Sequence, residues 1–241
     1  MTQEFVVINQ EDHRQSKLRT VDNFAFAADF HLASVMLPEF GRVAASYPIV
    51  FLEEEEGQGH RAVAMLGVEQ GVNLHVDAAG QWLPGCYIPA IIRRHPFSLL
   101  RTDDSDRFVV GIDNAAGLLN DTEGTPLFND DGSPSKMLED ARQFLSELNQ
   151  MENLTLEFAR FMAAHELLTP LNMQIEQDGE LRNVTGAFVV HEERLGTLSA
   201  ETFEQLRQRG YLAPLYAHLI SLLQVDHLLA RRSLRAATAT A

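Results

Sequence analysis

The chain has 241 residues, 45% of them apolar and 22% charged, enough for one large folded domain or two small ones. Its 34 acidic residues against 19 basic ones leave a net charge of −15. That balance excludes a nucleic-acid partner, since phosphate neutralisation needs clustered Lys and Arg, and it disfavours docking on anionic membranes. The single cysteine, Cys86, allows no internal disulfide and no multi-cysteine zinc site. "MTQEFVVINQEDHRQ" lacks a basic start followed by an apolar run, and no stretch reaches about 18 uninterrupted apolar residues. The expected location is the cytoplasm, without a membrane span.

"FVVIN" (5–9) is the first strand candidate. Pro38 suits the first position of a helix running to Tyr47, because Pro48 forbids its continuation. Three hairpins are expected next: "PIVFLE" with "RAVAMLGV", "NLHVD" with "QWL", and "FSLLRT" with "RFVVGID", each β-rich and bounded by turn formers. Residues 116–134 read as a connecting loop, ending at Ser133 as N-cap and Pro134 as first helical residue. Phe144, Leu148, Met151, Thr155, Phe158, Met162 and His165 then recur at alternating fours and threes, one face of a long helix. "LNMQIEQ" and "LRNVTGAFVV" around "DGE" form another hairpin, and "SAETFEQLRQRG" a helix with Ser199 as cap and Gly210 as stop. Pro214 opens a last helix, and the tail "SLRAATATA" is expected to fray. The fold class is α+β: a β-rich region over 1–115, the loop 116–134, and a mainly helical region with a hairpin over 135–241, together one compact unit.

Several tempting motifs fail on context. "GQGHRA" (57–62) matches a dinucleotide pattern but lacks the helix whose N-terminus must face phosphate. "LNDTEGTPLFNDDGSPSKMLE" looks like a calcium loop, yet setting Gly124 or Gly132 sixth puts Leu119 or Leu127 where the first Asp must stand. "HVD" (75–77) has the form of a two-histidine, one-carboxylate iron site, with His165, His191 or His218 as third ligand. Asp77 equally suits a turn into "AAG". Neither G-x-S-x-G nor H-E-x-x-H occurs, and a lone cysteine beside apolar residues is usually an inert small hydrophobe.

"YIPAIIRRHPFSLL" (87–100) concentrates base in an acidic chain. Pro89 can start a short helix and Pro96 ends it, which sets Arg93 and Arg94 in its last turn, where cations favour the carbonyl end. Side chains one residue apart point about 100° apart, so the two arginines divide between an internal ion pair and a ligand-accessible groove. The last helix is apolar almost all round but carries His218, Ser221 and Gln224 as a drifting polar strip. That strip serves an internal network or meets a ligand. Candidate ligand-binding residues are therefore Tyr87, Arg93 and Arg94, with Tyr216, His218 and Ser221. No catalytic residue, metal ligand or cofactor is assigned.

"YPIVF", "NLHVDAAGQW", "YIPAIIRRHPF", "GTPLFNDDGSPS", "VTGAFVVHEERL" and "YLAPLYAHLISL" occur in the order seen in the bacterial SapC family, which the chain resembles over roughly residues 20–230. The family takes its name from surface-layer formation and is distinct from the membrane permease of the same name. The resemblance implies a role beside TonB-dependent uptake or surface biology and no settled reaction; at position 75 the family usually has an aromatic or apolar residue. The resulting expectation is a non-catalytic accessory or ligand-binding protein whose partner is a small molecule or a protein. A metal-assisted enzyme built on "HVD" and a surface-layer component are the alternatives, and oligomeric state is left open.

Overall fold

A computed structural model describes residues 5–54, 59–102, 105–115, 117–177 and 180–239. In chain order the elements are β1 (Phe5–Val7), α1 (Gln10–His13), β2 (Lys17–Leu18), β3 (Leu32–Ser34), α2 (Phe40–Val43), β4 (Ile49–Glu53), β5 (His60–Met65), α3 (Ala90–Arg93), β6 (Phe97–Thr102) and β7 (Ser105–Asp113). Then come β8 (Leu119–Asn120), β9 (Thr125–Pro126), α4 (Lys136–Ala164), β10 (Leu168–Pro170), β11 (Met173–Gln177), β12 (Glu180–Val184), β13 (Ala187–Val190), α5 (Glu192–Gly196), α6 (Ala200–Gln208), α7 (Leu212–Ser221) and α8 (Gln224–Ala239). The class is α+β, with antiparallel sheets early and helices late. Two compact units emerge, one of Met1–Phe24 with Ala90–Gln150 and one of Ala25–Pro89 with Met151–Ala241. Each unit therefore draws on both the β-rich and the helical stretches, and α4 runs through the boundary.

In the first unit β7 lies between β1 and β6, while β2 lies between β8 and β9, all antiparallel. The segment read as a plain loop thus supplies two short strands. Gly124, at φ 104, is required at their tip: a Cβ there would stand 2.1 Å from the Leu18 carbonyl oxygen. Ile8, Val110, Ile112, Leu127 and Phe128 are buried together with Leu138 and Leu145 from the first half of α4.

In the second unit the sheet order is β10-β13-β4-β5-β3, and β11 pairs β12 as the expected hairpin. Alternation along β4 explains the layering. Val50 joins Val63, Met65, Ala187, Val189 and Leu228 of α8 on one face, while Phe51 meets Phe158 and His218 on the other. Phe158 also packs edge-on against Phe40 and Tyr211, and burying a side chain of this size contributes about 1.5–3 kcal/mol.

Along the predicted face of α4, Leu148, Thr155, Phe158 and Met162 are buried, and Phe144, Met151 and His165 are partly so. The helix starts later than its sequence suggests. Ser135, not Ser133, accepts the Leu138 N–H, because the Ser133 hydroxyl is taken by Asp131 and Asn129. Three further expectations are corrected. "NLHVD" and "QWL" form only the isolated bridge Val76–Trp82, since the Asn73 side chain takes the His75 N–H and the Leu74 N–H goes to Leu66. The last helix is divided into α7 and α8. Its tail stays helical to Ala239 instead of fraying. The tip of the β4–β5 hairpin and two residues of "DDSD" lie outside the described residues.

Candidate functional site

Two places gather polar side chains, one in each unit. In the second unit they centre on Tyr47, which is fully buried at the end of the α2 turn. Its hydroxyl accepts from Trp82 Nε1–H at 2.9 Å and donates to the Tyr87 carbonyl oxygen at 2.5 Å. Burial drives its phenol well above the usual tyrosine range, so it stays protonated and able to donate. Tyr87 donates its own hydroxyl to Glu39 Oε2 at 2.8 Å, its N–H goes to Ser46 Oγ, and Arg42 lies over its ring. Glu39 is buried, and its Oε1 also accepts the Met36 N–H. The carboxylate therefore holds the start of the α2 turn and Tyr87 at once.

His75 packs edge-on against the Tyr47 ring, with ring centres 4.6 Å apart. Its Nδ1 lies 3.1 Å from the Leu66 carbonyl oxygen, which fixes Nδ1 as the protonated nitrogen and leaves Nε2 without a partner. Burial first, and the Arg231 charge second, push its pKa down to about 4. Arg231 in turn donates from Nη2 to Cys86 Sγ at 3.6 Å. Asp77 does not share this site. It is exposed, and its Oδ1 accepts the N–H groups of Ala79 and Gln81. Among the described residues no three His, Cys, Asp or Glu side chains gather where they could hold one metal ion.

The polar strip of α7 serves the sheet. β13 and β4 pair at Ala187–Leu52 and Phe188–Phe51 and then diverge. Beyond that point the two freed strand amides are met by the helix: Val190 N–H donates to His218 Nε2 at 3.0 Å, and Ile49 N–H to Ser221 Oγ at 2.9 Å. The Ser221 hydroxyl in turn donates a hydrogen bond to the His218 carbonyl oxygen. Both residues have no exposed surface, and burial pushes His218 down to about 4, hence neutral. This is the internal network offered as one of two readings of the strip. Tyr216, two residues from His218, faces out and is 48% exposed.

In the first unit Arg93 is exposed and its guanidinium lies 5.6 Å from the centre of the Phe144 ring. Arg94 is half-buried beside His95, whose pKa is lowered by burial first and by Arg94 in part, against the opposing pull of Asp113. Arg93 is thus the more exposed of the two arginines. The same unit carries an open groove of about 870 Å³ lined by Arg14, Lys17, Asp121, Phe128, Asn129 and Asp131 among others. Arg14 donates to the Asp130 carbonyl oxygen, Lys17 to that of Thr122, and Ser16 to Asp121 Oδ1. The Ser133 hydroxyl, followed by its N–H, holds the Asp131 carboxyl below the usual range. Sequence reading missed this groove because its parts lie over a hundred residues apart. The available signal was Gly132, whose φ of 85 marks a forced turn inside an acidic run.

The model of the SapC family matches residues 8–228. The chain belongs to the SapC family. No curated protein and no solved structure gives a match. Set on the fold, the SapC-like segments supply Tyr47, His75, Trp82 and Tyr87 of the buried cluster, Phe128 to Asp131 of the groove, and His218 and Ser221 of the strip.

The helical segment Leu212–Ala237 passes the length and hydropathy test for a membrane span, with a mean hydropathy of 1.2 over 18 residues. Its buried face contributes Leu215, His218, Ser221 and Leu228 to the second unit.

Proposed function

We propose that this SapC-family protein is a non-catalytic accessory protein that binds its ligand or partner on its surface. One observation carries the reading: the side chains with the greatest chemical potential are taken up by the chain's own backbone. His218 and Ser221 complete the β13 and β4 amides, His75 holds Leu66, Asp77 closes its own turn, and Glu39 joins Met36 to Tyr87. A general base or nucleophile must reach its substrate, and the buried His218, Ser221, His75 and Glu39 do not, while the exposed Asp77 spends its Oδ1 on two turn amides. What faces solvent is of a different kind: the mixed-charge groove of the first unit, Arg93 over Phe144, and the outer face of α7. These suit recognition. A cytoplasmic location and a link to TonB-dependent uptake at the cell surface belong to the same proposal, and they rest on the family resemblance and the acidic composition. The test is metal analysis of protein purified without a histidine tag. Sub-stoichiometric iron and zinc are expected, and one equivalent of either, lost in His75→Ala, would overturn the non-catalytic reading.

A further inference from the structure

α8 is held to the second unit mainly by arginines. Of its described side chains only Leu228 is buried, in one cluster with Val50, Met65 and Leu74, whereas α7 buries Leu215, His218 and Ser221. Three arginines reach across from α8 to the unit. Arg231 donates from Nη2 to Cys86 Sγ at 3.6 Å, Arg232 from Nε to Glu69 Oε1, and Arg235 from Nη1 to the Asn73 carbonyl oxygen at 2.7 Å. Leu228 and the three arginines share an arc of about 100° on the helix, and each of these grips falls between Glu69 and Cys86. The join to α7 is a tightened turn, in which Leu222, Leu223 and Val225 each donate to the carbonyl three residues back. Tightened turns of this kind often mark hinges, and elements with little buried apolar surface open first.

The Arg231 charge also bears on His75, whose ring is buried and whose Nε2 has no partner. The groups around that ring are few. Leu66 takes Nδ1 with its carbonyl, and on the same side stands His31, whose own carbonyl accepts the Leu66 N–H. Tyr47 packs its ring against the imidazole, and both Cys86 and Arg231 act on the Tyr47 phenol. Among the described residues no carboxylate acts on His75. A proton taken up at Nε2 therefore creates a second cation beside Arg231 with no anion to balance it, and buried like charges repel strongly. Of the two, His75 is locked into the unit by the Leu66 bond, while Arg231 sits on the weakly held helix.

We propose that α8 is an acid-sensitive latch: protonation of His75 drives off Arg231, and α8 swings away from residues 69–86 about the turn at 222–225, uncovering Leu74, His75 and Cys86. The sign follows from linkage. Closed, with burial first and Arg231 second, the imidazole titrates at about 4; open, it returns to the ordinary 6.5. The open form binds the proton more tightly, so the latch is firm above pH 6.5 and loosens as pH falls towards 4. Opening becomes up to about thirtyfold more favourable at pH 5 than at pH 7.5.

The experiment is hydrogen exchange of the full chain, read peptide by peptide at pH 7.5 and pH 5 and corrected for the intrinsic pH dependence of exchange. At pH 5 α8 should lose about tenfold or more of its protection while α4 and the β4–β5 strands keep theirs. His75→Gln, whose amide stays neutral and still offers the Leu66 carbonyl a donor, should lose far less. His218 is also held neutral by burial and Glu69 is acidic, so the difference between parent and His75→Gln is the quantity that tests His75. Arg231→Gln makes the same test at a half-buried position, because without the like charge the acid response shrinks. Glu69→Gln, which weakens the Arg232 grip, should loosen α8 at both pH values. Equal protection of α8 at the two pH values in the parent would overturn the latch. So would a loss shared by α4 and β4–β5, which is global unfolding, or an equal loss in the parent and His75→Gln.

Discussion

The groove of the first unit and the Tyr47 cluster of the second hold similar residue types and use them in opposite ways. In the groove, Arg14, Asp130 and Asp131 stand exposed; Arg14 donates to the Asp130 carbonyl oxygen and Asp131 accepts the Ser133 N–H of its own turn. Around Tyr47, the side chains of Tyr47, His75 and Trp82 are buried; the Tyr47 hydroxyl, the Trp82 N–H and His75 Nδ1 bind one another or the backbone, and His75 Nε2 alone of these atoms is left without a partner. A buried polar group must find a partner or cost about 1–3 kcal/mol, whereas an exposed one bonds to water at little loss. Polar residues around Tyr47 are thus part of the architecture of the second unit, while those of the groove make their bonds at the surface.

The sharpest way to break that contrast is to compare one deletion from each unit. Phe158 is fully buried against Phe40, Phe51 and Tyr211, so Phe158→Ala should cost about 3–5 kcal/mol in chemical denaturation. Arg14→Ala in the groove should stay within about 0.5 kcal/mol, as for most surface substitutions. Comparable losses from the two would remove the distinction between an architectural and an available set.

Acid should expose the same division. His75 and His218 fall from the ordinary 6.5 to about 4 in the folded chain. The unfolded chain binds protons there first, so each histidine's contribution is complete above pH 6.5 and is lost as pH falls towards 4. A shift of that size corresponds to about 3 kcal/mol at most for each site. Denaturant midpoints should therefore drop steeply between pH 7 and 4.5, and the double variant His75→Gln, His218→Gln should flatten the slope. A parent midpoint unchanged over that range would show that neither imidazole is held neutral by burial.

How much of this was legible beforehand depended on whether the signal was local. The β4–β5 and β6–β7 hairpins, the cap of α6 at Ser199 and the long α4 follow from alternation, turn residues and 3.6 periodicity within a single window. "NLHVD" misled because its alternation is that of a strand, while Asn73 takes the neighbouring amide with its own side chain. His218 and Ser221 could be flagged as polar on an apolar helix, but their partners are amides 28 and 172 residues away, and nothing local names them. The exposed apolar stripe of α7 and α8 was equally hidden. An all-round apolar helix reads as buried, and only the exposure of Ile220 and Leu223 separates its outward stripe from its inward one.

Ser221→Ala isolates one strand-end bond. Its hydroxyl accepts the Ile49 N–H, and both residues are buried, so the substitution leaves a buried amide unpaired at about 1–3 kcal/mol. Ser221→Thr keeps the hydroxyl and should recover much of the loss unless its added methyl crowds Phe51. Hydrogen exchange at the Ile49 amide reports the same bond directly, and protection that survives Ser221→Ala would mean that another acceptor holds it.

The smallest expected effect belongs to the residue that first suggested an enzyme. Asp77 Oδ1 takes both the Ala79 and the Gln81 amides, at 2.9 and 2.8 Å. That job needs an acceptor oxygen and no negative charge. The Asp77→Asn side chain offers the same oxygen in the same place, so stability should change by less than about 0.5 kcal/mol. Asp77→Ala removes the acceptor and leaves two turn amides to water, which should cost more than the amide variant does. A metal ligand would reverse that logic, because an amide is a far poorer ligand than a carboxylate for a hard cation. If Asp77→Asn proves as damaging as Asp77→Ala, the charge itself matters at this position and the turn does not account for it.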